Sequence, residues 1–376
     1  MSGSSFGKNF VITTWGESHG KALGAVVDGC PAGIKLSEND IQKDLDRRKP
    51  GNSRYSTPRK ESDRVQILSG VFEGKTTGTP ISLLIPNADQ RSSDYSQLSD
   101  LYRPGHADYV YDQKYGFRDY RGGGRSSGRE TAARVAAGAI AKKVLAEFGI
   151  DVFAYTFAIG EYQLRNSIFD RQNLSYDELM MPDPEISAKA KAYLEEMTKN
   201  GDSVGGVVEC IVQRLPAGVG EPVFEKLDAK LAQAIFSVGA VKAVEIGSGI
   251  NCSKFTGSEH NDPLQYQDDR SALCLRKLTN NSGGIVGGIS EGFPIKIRAS
   301  FKPTPSIAMP QQSVSKAGEN IELIVKGRHD PIIVPRAVVV VEAMTAITLV
   351  DYLFQRVLSR IDLLKLALKG NGYQEE

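Results

Sequence analysis

Two segments concentrate the basic side chains of this 376-residue chain, although its formal net charge at pH 7 is only +1. An arginine guanidinium is a planar fork that pairs two-pronged with carboxylate or phosphate, so the clusters are suited to a compact polyanion. A solvated charged surface is the alternative, but glycine and histidine interleave with these arginines. The clustered residues are Arg47, Arg48, Lys49, Arg54, Arg59, Lys60 and Arg64, followed by Arg103, Lys114, Arg118, Arg121, Arg125, Arg129 and Arg134.

Two of the four histidines, His19 and His106, lie beside these basic segments and are candidates for proton transfer. His106 follows a turn signal in the motif RPGHADY, where a satisfied structural histidine is the alternative. In the motif GRHDP, Arg328 could take an anion while Asp330 orients a donor or relays a proton. For His329, between them, the structural and functional interpretations are evenly balanced.

The strongest local signal is RGGGRSSGRETAARVAAGAIAKKVLAEF, at residues 121–148. Ser127 and Glu130 have the spacing of a capping box, and Gly149 follows the last predicted turn. A glycine-rich loop that opens a long helix offers free N–H groups and the positive helix end to a phosphate or carboxylate. Neither the P-loop nor the dinucleotide-binding spacing is present. An ordinary capped helix is the alternative, although three glycines flanked by arginines exceed what a cap requires.

A weak internal repeat predicts the architecture that positions these residues. GESHGKALGAVVDGCPAG from Gly16 matches GDSVGGVVECIVQRLPAG from Gly201, and GTPISLLI from Gly78 echoes GFPIKIRA from Gly292. The echoes follow the same order in both halves, so we predict a duplicated α+β unit with a pseudo-twofold. The expected domain covers the whole chain, with halves at roughly 1–150 and 200–365 and a surface insertion at about 160–200.

The repeat also bears on His19, because the second copy has Val204 at the equivalent position. The shared fold therefore does not need an imidazole there, which makes His19 a better functional candidate than a lone histidine. An amphipathic helical pattern follows each copy. Ser37 is the predicted N-cap of the first helix, and Val223 and Leu227 mark the second.

The segment GESHG also fits the G-x-S-x-G pattern of a serine hydrolase, with Ser18 as the nucleophile. Three features weaken this alternative. The second copy keeps Ser203 without a neighbouring histidine, no HGGG-type segment is present, and the valine-rich residues after Gly24 predict a strand where a nucleophile elbow needs a helix. A non-catalytic anion-binding module would explain the arginines but not the paired histidines.

Composition is typical of a globular protein, with 40% hydrophobic residues. The four cysteines lack metal-ligand spacing, so we expect free thiols in a reducing compartment and no metal site. The first ten residues lack a secretory signal, and cytoplasmic localisation follows. The apolar run at 337–350 is too short for a membrane span, which favours a buried helix or strand-helix unit. The near-neutral charge argues against a nucleic-acid partner.

These motifs resemble chorismate synthase over nearly the whole chain. Two positions depart from the family pattern. Gly128 stands where alanine is common, and Pro305 stands where a small hydroxyl residue is common, which weakens one flavin contact. The matching stretches are GESHGKALGAVVDGCPAGI from Gly16, DLDRRKPG from Asp44, RPGHADY from Arg103, GGGRSSGRETAARVAAGAIAKK from Gly122, AVKAVEIG from Ala240, GGIVGGIS from Gly283, FKPTPSI from Phe301, and GRHDP with VEAM from Gly327.

The resemblance implies a carbon-oxygen lyase that converts 5-enolpyruvylshikimate 3-phosphate to chorismate and phosphate by 1,4-anti-elimination. This is the last step of the shikimate pathway for aromatic amino acid biosynthesis, and reduced FMN is required without net redox change. The substrate carries about two negative charges on phosphate and one on each of two carboxylates, which explains the dense arginines. By resemblance, the substrate-binding residues are Ser18, Arg48, Arg54, Arg103, Ser127, Arg129 and Arg328. The implied FMN-binding residues are Arg125, Ser126, Ser127, Gly239, Ala240, Gly287, Lys302, Pro303, Thr304, Pro305, Ser306 and Arg328.

Catalytic roles also follow from the resemblance. His19 would protonate the departing phosphate, His106 would set the protonation state of the reduced flavin, and Asp330 would relay the ring proton. The implied architecture is a β-α-β sandwich, with helices between antiparallel sheets, assembled as a homotetramer. No nicotinamide fingerprint is visible, so we expect an external flavin reductase, with NADPH as an indirect reductant.

Overall fold

The secondary structure was obtained from a computed structural model, which describes residues 3–51, 53–56, 61–88, 99–165, 169–269, 272–325 and 330–369. The helices in the described residues are α1 (Glu38–Arg48), α2 (Asp108–Tyr115), α3 (Thr131–Glu147), α4 (Pro184–Lys199), α5 (Leu227–Phe236), α6 (Gly257–His260), α7 (Val334–Leu358) and α8 (Ile361–Lys369). The strands are β1 (Ser5–Phe6), β2 (Val11–Gly16), β3 (Ala22–Asp28), β4 (Gln66–Ile67), β5 (Val71–Phe72), β6 (Lys75–Thr76), β7 (Ile81–Pro86), β8 (Leu101–Tyr102), β9 (Asp151–Ile159), β10 (Tyr162–Gln163), β11 (Gly206–Gln213), β12 (Val241–Ile246), β13 (Leu264–Asp269), β14 (Ala272–Lys277), β15 (Ile285–Val286), β16 (Ile289–Ser290), β17 (Ile295–Phe301), β18 (Gln311–Ser315) and β19 (Asn320–Leu323).

Two five-stranded antiparallel sheets enclose the central helices. One sheet has the order β1-β2-β3-β7-β4 and the other has the order β10-β9-β11-β17-β12. Helix α3 packs on β3, α7 packs on β9 and β11, and the two helices pack on each other. Their contact requires Gly138, because a Cβ atom there would lie 2.3 Å from the Cβ of Ala343. The predicted sandwich of helices between antiparallel sheets is therefore confirmed.

The strand register supports the internal duplication residue by residue. Ala25 of β3 lies opposite Leu83 of β7, and Cys210 of β11 lies opposite Ile297 of β17. These two pairs are equivalent when the repeated motifs are aligned. Among the four inner and edge strands that the two sheets share and the helices packed on them, the order is β2, β3, α1, β4, β7, α3 in one half and β9, β11, α5, β12, β17, α7 in the other. Topology and register thus repeat together, whereas the proposed bounds of the halves and of the insertion stay a prediction.

Helix α7 lies in the core of the sandwich. It is the one helix in the described part of the chain that length and composition would allow to cross a membrane, but 94% of its most apolar stretch is buried inside the protein. Packing between the two sheets therefore accounts for its apolar composition. The buried-helix interpretation of the run at 337–350 is confirmed.

A buried ion network connects α1, α3 and α7. The carboxylate of Glu342 on α7 receives two bonds from Arg47 at 2.7 and 2.8 Å and one from Lys142 at 3.0 Å. Burial alone would raise the pKa of Glu342, but Lys142 and Arg47 outweigh burial and lower the pKa to about 2. This network anchors the end of α1, where Arg48 follows Arg47.

Of the two helices predicted from amphipathic patterns, the first agrees with the structure and the second begins later than predicted. Helix α1 has Ser37 as its N-cap, and its Ile41 and Leu45 are fully buried, as predicted. Helix α5 begins only at Leu227, and Val223 lies outside it, exposed and with a φ of +63°. The inclusion of Val223 in the helix was therefore wrong, because its backbone adopts the left-handed region.

Candidate functional site

A pocket of about 700 Å³ lies where segments of both halves meet. Its wall is formed by the loop after β2, the end of α1, the turns before α3, the end of α5, the turn after β17 and the start of α7. Chain segments far apart in sequence therefore converge on one site. The predicted site residues that line it are Ser18, His19, Arg48, Arg103, His106, Arg125, Ser126, Ser127, Arg129, Gly239, Ala240, Lys302, Thr304, Pro305, Ser306 and Asp330.

Three other predicted site residues, Arg54, Pro303 and Gly287, do not line this wall, and a fourth, Arg328, lies outside the described residues. Arg54 is exposed and pairs with Glu178 and Glu195. Gly287 lies in the turn between β15 and β16, beside the first residue of α5. The pocket contacts the last residue of that helix, about 15 Å away by helix length. Their binding roles stay predictions.

The His19 side chain is positioned by its neighbour and by the glycine-rich loop. Ser18 Oγ lies 3.0 Å from His19 Nδ1. The ring packs directly on Gly122, where a Cβ atom would lie 2.2 Å from Nδ1 and 2.9 Å from Ser18 Oγ. A glycine is required at position 122 because any side chain there would displace the imidazole.

The His106 side chain is oriented by Asp108, a residue that the sequence analysis missed. Nδ1 of His106 lies 2.8 Å from Oδ1 of Asp108, which accepts further bonds from Arg103 and Arg118. Arg103 Nη2, which only donates, lies 3.0 Å from the same Nδ1, but it already donates to Asp108 Oδ1 at 2.8 Å. An ionised carboxylate only accepts, so we assign the hydrogen to Nδ1. Burial alone would raise the pKa of Asp108, but hydrogen bonds from Arg103 and His106 hold it far below its ordinary value. The Nε2 atom is then the one with which His106 can exchange a proton.

Arg48 and Arg129 share a second carboxylate that the sequence analysis missed. Arg48 Nη1 donates to Oδ2 of Asp63 at 2.9 Å, and Arg129 Nη1 donates to Oδ1. Asp63 is fully buried, and burial alone would raise its pKa, but the two arginines hold it below its ordinary value. Burial lowers the pKa of Arg48 to about 10, with Asp63 opposing that effect.

Asp330 is paired with an arginine that no motif singled out. Its Oδ2 accepts from Arg336 Nη1 at 2.9 Å, and Arg336 Nε donates to the backbone oxygen of Arg48 at 3.1 Å. Arg336 lies on the first turn of α7, and both residues line the pocket. The ion pair fixes the direction of the Asp330 carboxylate at the pocket wall.

The start of α3 differs from the predicted capping box. Two short 3₁₀ turns, Gly124–Ser126 and Gly128–Glu130, precede the helix, and Ser127 Oγ accepts from the Arg129 N–H at 3.2 Å. Glu130 turns away to Arg134, at 2.8 Å, and to Thr14, at 3.0 Å. The reason is burial, because a buried carboxylate needs these charged and hydroxyl donors more than it needs the cap.

The pocket carries a strong positive charge. Three carboxylates line it within the described residues, namely those of Glu61, Glu130 and Asp330. The excess of cations favours a multiply charged anion. The lining cationic side chains are Arg48, Arg103, Arg125, Arg129, Arg134, Arg336, Lys242 and Lys302.

One end of the pocket has donors suited to a phosphate group. Burial and the neighbouring charge of Lys242 lower the pKa of Lys302, whose ammonium group donates to the backbone oxygen of Gly105 at 3.1 Å. Thr304 Oγ1 is buried and has no hydrogen-bond partner within the described part of the chain. Two neighbouring ammonium groups and an orphaned hydroxyl are suited to a phosphate group.

Comparison with known proteins places these features in a family. The family model for chorismate synthase matches residues 10–354. The chain belongs to the chorismate synthase family. It is 62% identical to chorismate synthase of Lachnoclostridium phytofermentans over 97% of this chain and 99% of that protein, and 59% identical to the enzyme of Lachnospira eligens over the same shares. A crystal structure of chorismate synthase superposes with a TM-score of 0.75 at 33% identity, covering 97% of this chain and 98% of that one.

Membership in the chorismate synthase family confirms the predicted function. The chain is a carbon-oxygen lyase of the shikimate pathway, serving aromatic amino acid biosynthesis, and the family requires a flavin. The substrate is a small molecule with several negative charges, in agreement with the cationic pocket. The resemblance stated from the motifs is therefore confirmed.

The serine hydrolase alternative is excluded by local structure as well as by family. Gly16 ends β2, and after the loop that holds Ser18 the chain enters β3 at Ala22. A nucleophile elbow needs a helix after the serine, and here a strand follows. The Ser18 hydroxyl instead bonds to His19.

Proposed function

We propose that this pocket binds 5-enolpyruvylshikimate 3-phosphate beside reduced FMN and converts it to chorismate and phosphate by 1,4-anti-elimination. The observation that carries the proposal is the convergence of His19, His106 and Asp330 on one strongly cationic pocket. Each of these groups can hold or transfer a proton. Their chain segments are separated in sequence, so the meeting is a property of the fold.

Arginines bind the substrate anions in this proposal. Arg48 and Arg129 line the pocket and attract the phosphate or carboxylates through their charge, and Ser18 and Ser127 add hydrogen bonds. Arg103 lies deeper, held by Asp108, and contributes its charge to the same wall. Arg54 and Arg328 stay predicted contributors to substrate binding.

His19 protonates the departing phosphate. When the bond between the ring carbon and the phosphate oxygen breaks, the electron pair leaves with oxygen, and a proton from the imidazolium neutralises part of the developing charge. Ser18, which lies 3.0 Å from Nδ1, keeps the ring against Gly122, and Nε2 is the atom that would transfer the proton. A general acid of this kind contributes roughly 10²- to 10⁴-fold to the rate.

Asp330 carries away the proton that the ring loses. The ion pair with Arg336 fixes the direction of this carboxylate. The substrate thus loses a proton on one side and gives up a protonated phosphate on the other, so the proton count balances. No net oxidation or reduction of the substrate takes place.

Two groups of pocket residues would bind the flavin. The FMN phosphate would be held by Lys302, Thr304 and Ser306, and the ring system would be contacted by Arg125, Ser126, Gly239 and Ala240. When bound, reduced FMN supplies an electron-rich ring that lowers the barrier to the elimination. His106 exchanges a proton through Nε2, because Asp108 holds Nδ1.

The proposal extends to the cellular setting. We infer a cytoplasmic homotetramer that receives reduced FMN from a separate flavin reductase, with NADPH as an indirect reductant. The free buried thiols of Cys30 and Cys210 support a reducing compartment. Sedimentation velocity would test the tetramer, and an NADPH-only assay would test the reductase, since turnover with NADPH and FMN alone would contradict an external supply.

The deciding experiment is an anaerobic assay with 5-enolpyruvylshikimate 3-phosphate and dithionite-reduced FMN. We expect chorismate and phosphate to appear in equal amounts, and oxidised FMN to give neither. Tight FMN binding without product would contradict the proposed substrate.

A further inference from the structure

We propose that Asp63 and Asn87 are positioning residues, which fix the two anion-binding arginines against each other and against the loop that carries His19. The inference rests on the proposed function of Arg48, Arg129 and His19. It adds two residues that no sequence motif assigned. Neither side chain needs to touch the substrate for this role.

The first link is the carboxylate of Asp63. Each of its two oxygens accepts from a different arginine, Oδ2 from Arg48 and Oδ1 from Arg129. The residue is fully buried and has a φ of +46°, which a non-glycine residue adopts at a cost in free energy. A strained backbone and a buried charge together indicate that the local fold is built around this bridge.

The second link runs from Arg129 to the histidine loop. Arg129 Nε donates to Asn87 Oδ1 at 2.9 Å. The Nδ2 group of Asn87 then donates to the backbone oxygens of Glu17, at 3.0 Å, and Gly20, at 2.8 Å. These two residues flank Ser18 and His19, so one amide side chain connects the arginine to both ends of the loop.

The remaining donors of Arg48 are also fixed. Its Nη2 donates to the backbone oxygen of Gly128 at 2.6 Å and its Nε to Thr131 Oγ1 at 3.2 Å, at the start of α3. Arg48 is thereby held between Asp63 and the turn before the helix. Hydrogen bonds thus run without a break from Arg48 through Asp63 and Arg129 to Asn87. They hold the two arginines that bind the substrate anion at a fixed distance from the loop that carries the proton donor.

Asp63 could instead act only as a competitor that occupies the arginines until substrate arrives. The two roles predict opposite effects of removing its charge. If Asp63 competes, Asp63→Asn frees two cations and should tighten substrate binding. If Asp63 positions the arginines, their mutual repulsion and new freedom should weaken binding, even though the site gains positive charge.

The first experiment compares Asp63→Asn with Glu342→Gln in the full-length protein. Glu342 is the matched control because it is also a buried carboxylate bound by two cations, but it does not line the pocket. We expect Asp63→Asn to raise the KM and the calorimetric Kd for 5-enolpyruvylshikimate 3-phosphate by about tenfold or more, and Glu342→Gln to change them less than about twofold. Tighter binding by Asp63→Asn would overturn the proposal, as would equal loss in both variants.

The second experiment uses Asn87, a partly exposed residue whose substitution we expect to leave the fold intact. Asn87→Asp keeps an oxygen for Arg129 but loses the donors to Glu17 and Gly20, whereas Asn87→Ala loses both contacts. We expect kcat to fall about tenfold or more in both variants, and KM to rise only in Asn87→Ala. The nitrogen chemical shifts of His19 should change in both variants. Asn280→Ala is the control, because it removes a similar hydrogen bond from an amide side chain to the backbone of Pro294, and it should leave the His19 shifts unchanged.

The activity of the wild-type protein in the same assay distinguishes a failure of the proposed function from a failure of the positioning role. If the wild-type protein makes no chorismate, the proposed function fails. If it does, unchanged kcat and unchanged His19 shifts in the Asn87 variants overturn the positioning role alone.

Discussion

The Nδ1 atom of His106 lies 2.8 Å from Oδ1 of Asp108, a carboxylate that Arg103 and Arg118 also bind. This relationship makes the orientation of His106 depend on a residue two positions along the chain. It also explains why Arg103 is buried although it lines the pocket, because its guanidinium forms a two-pronged pair with the same carboxylate. Ring direction and arginine placement are therefore set by one side chain.

Asp108→Asn should lower kcat by roughly 10²- to 10⁴-fold, because an amide no longer fixes the hydrogen on Nδ1 of His106. The anaerobic chorismate assay measures the loss, and nitrogen NMR of labelled histidine reports the tautomer. Asp112→Asn is the matched control, because Asp112 lies on the same helix as Asp108. Asp112 pairs with Arg118 and Lys316, and neither of these pairs involves His106. Equal losses in both variants would contradict a specific role for Asp108.

Gly122→Ala should lower kcat by about 10²-fold with a smaller change in KM, because the new methyl group occupies the space of the His19 ring. Gly128→Ala is the control within the same loop, since nothing lies within 4 Å of a Cβ atom there. That variant also restores the residue common in the family, and we expect near-normal turnover. Steady-state kinetics of both variants provide the test, and normal activity of Gly122→Ala would remove His19 packing from the mechanism.

Glu342→Gln should lower the free energy of unfolding by about 3 to 5 kcal/mol at neutral pH, because Arg47 and Lys142 would lose their buried partner. The folded pKa of Glu342, about 2, lies below its unfolded value. The carboxylate therefore contributes fully above about pH 4.5, and this contribution is lost as the pH falls towards 2.

Urea unfolding followed by the fluorescence of Trp15, the single tryptophan, measures this effect. The difference between wild type and Glu342→Gln should shrink from pH 7 to pH 3. A difference that stays constant over this range would contradict an ionic contribution. Glu185→Gln, on an exposed part of α4, is the control and should change stability little at either pH.

Short motifs in the sequence identified side chains that the fold brings together, and the roles of these side chains stay predictions. His19, Arg48, His106, Arg129 and Asp330 lie in different motifs and line one pocket. The repeated strands could also be predicted, since the segments from Gly16 and Gly201 match in sequence. Local patterns therefore defined the elements and most residues of the proposed site.

The partners of these residues could not be read in the same way. Asp63 lies 66 positions from Arg129 in the sequence, and Asn87 lies 42 positions from it, so no spacing rule connects them. The capping box failed for a related reason, because the carboxylate of Glu130 found a distant partner in Thr14. Long-range pairing of polar groups depends on burial, which the sequence does not show.

Thr304→Val should weaken FMN binding by about tenfold or more while leaving the stability of the flavin-free protein unchanged or higher. The Oγ1 atom of Thr304 is buried without a partner in the described part of the chain, so a methyl group in its place removes a desolvation cost. If that hydroxyl donates to the FMN phosphate, the loss appears only when the ligand carries phosphate.

Riboflavin, which lacks the phosphate, is therefore the discriminating ligand. Titrations followed by flavin fluorescence should show that Thr304→Val and Lys302→Met each reduce FMN affinity but leave riboflavin affinity within about twofold of wild type. Equal losses for both flavins would place Thr304 against the ring system instead. The orphaned hydroxyl would then need another explanation, because a bound phosphate would no longer account for it.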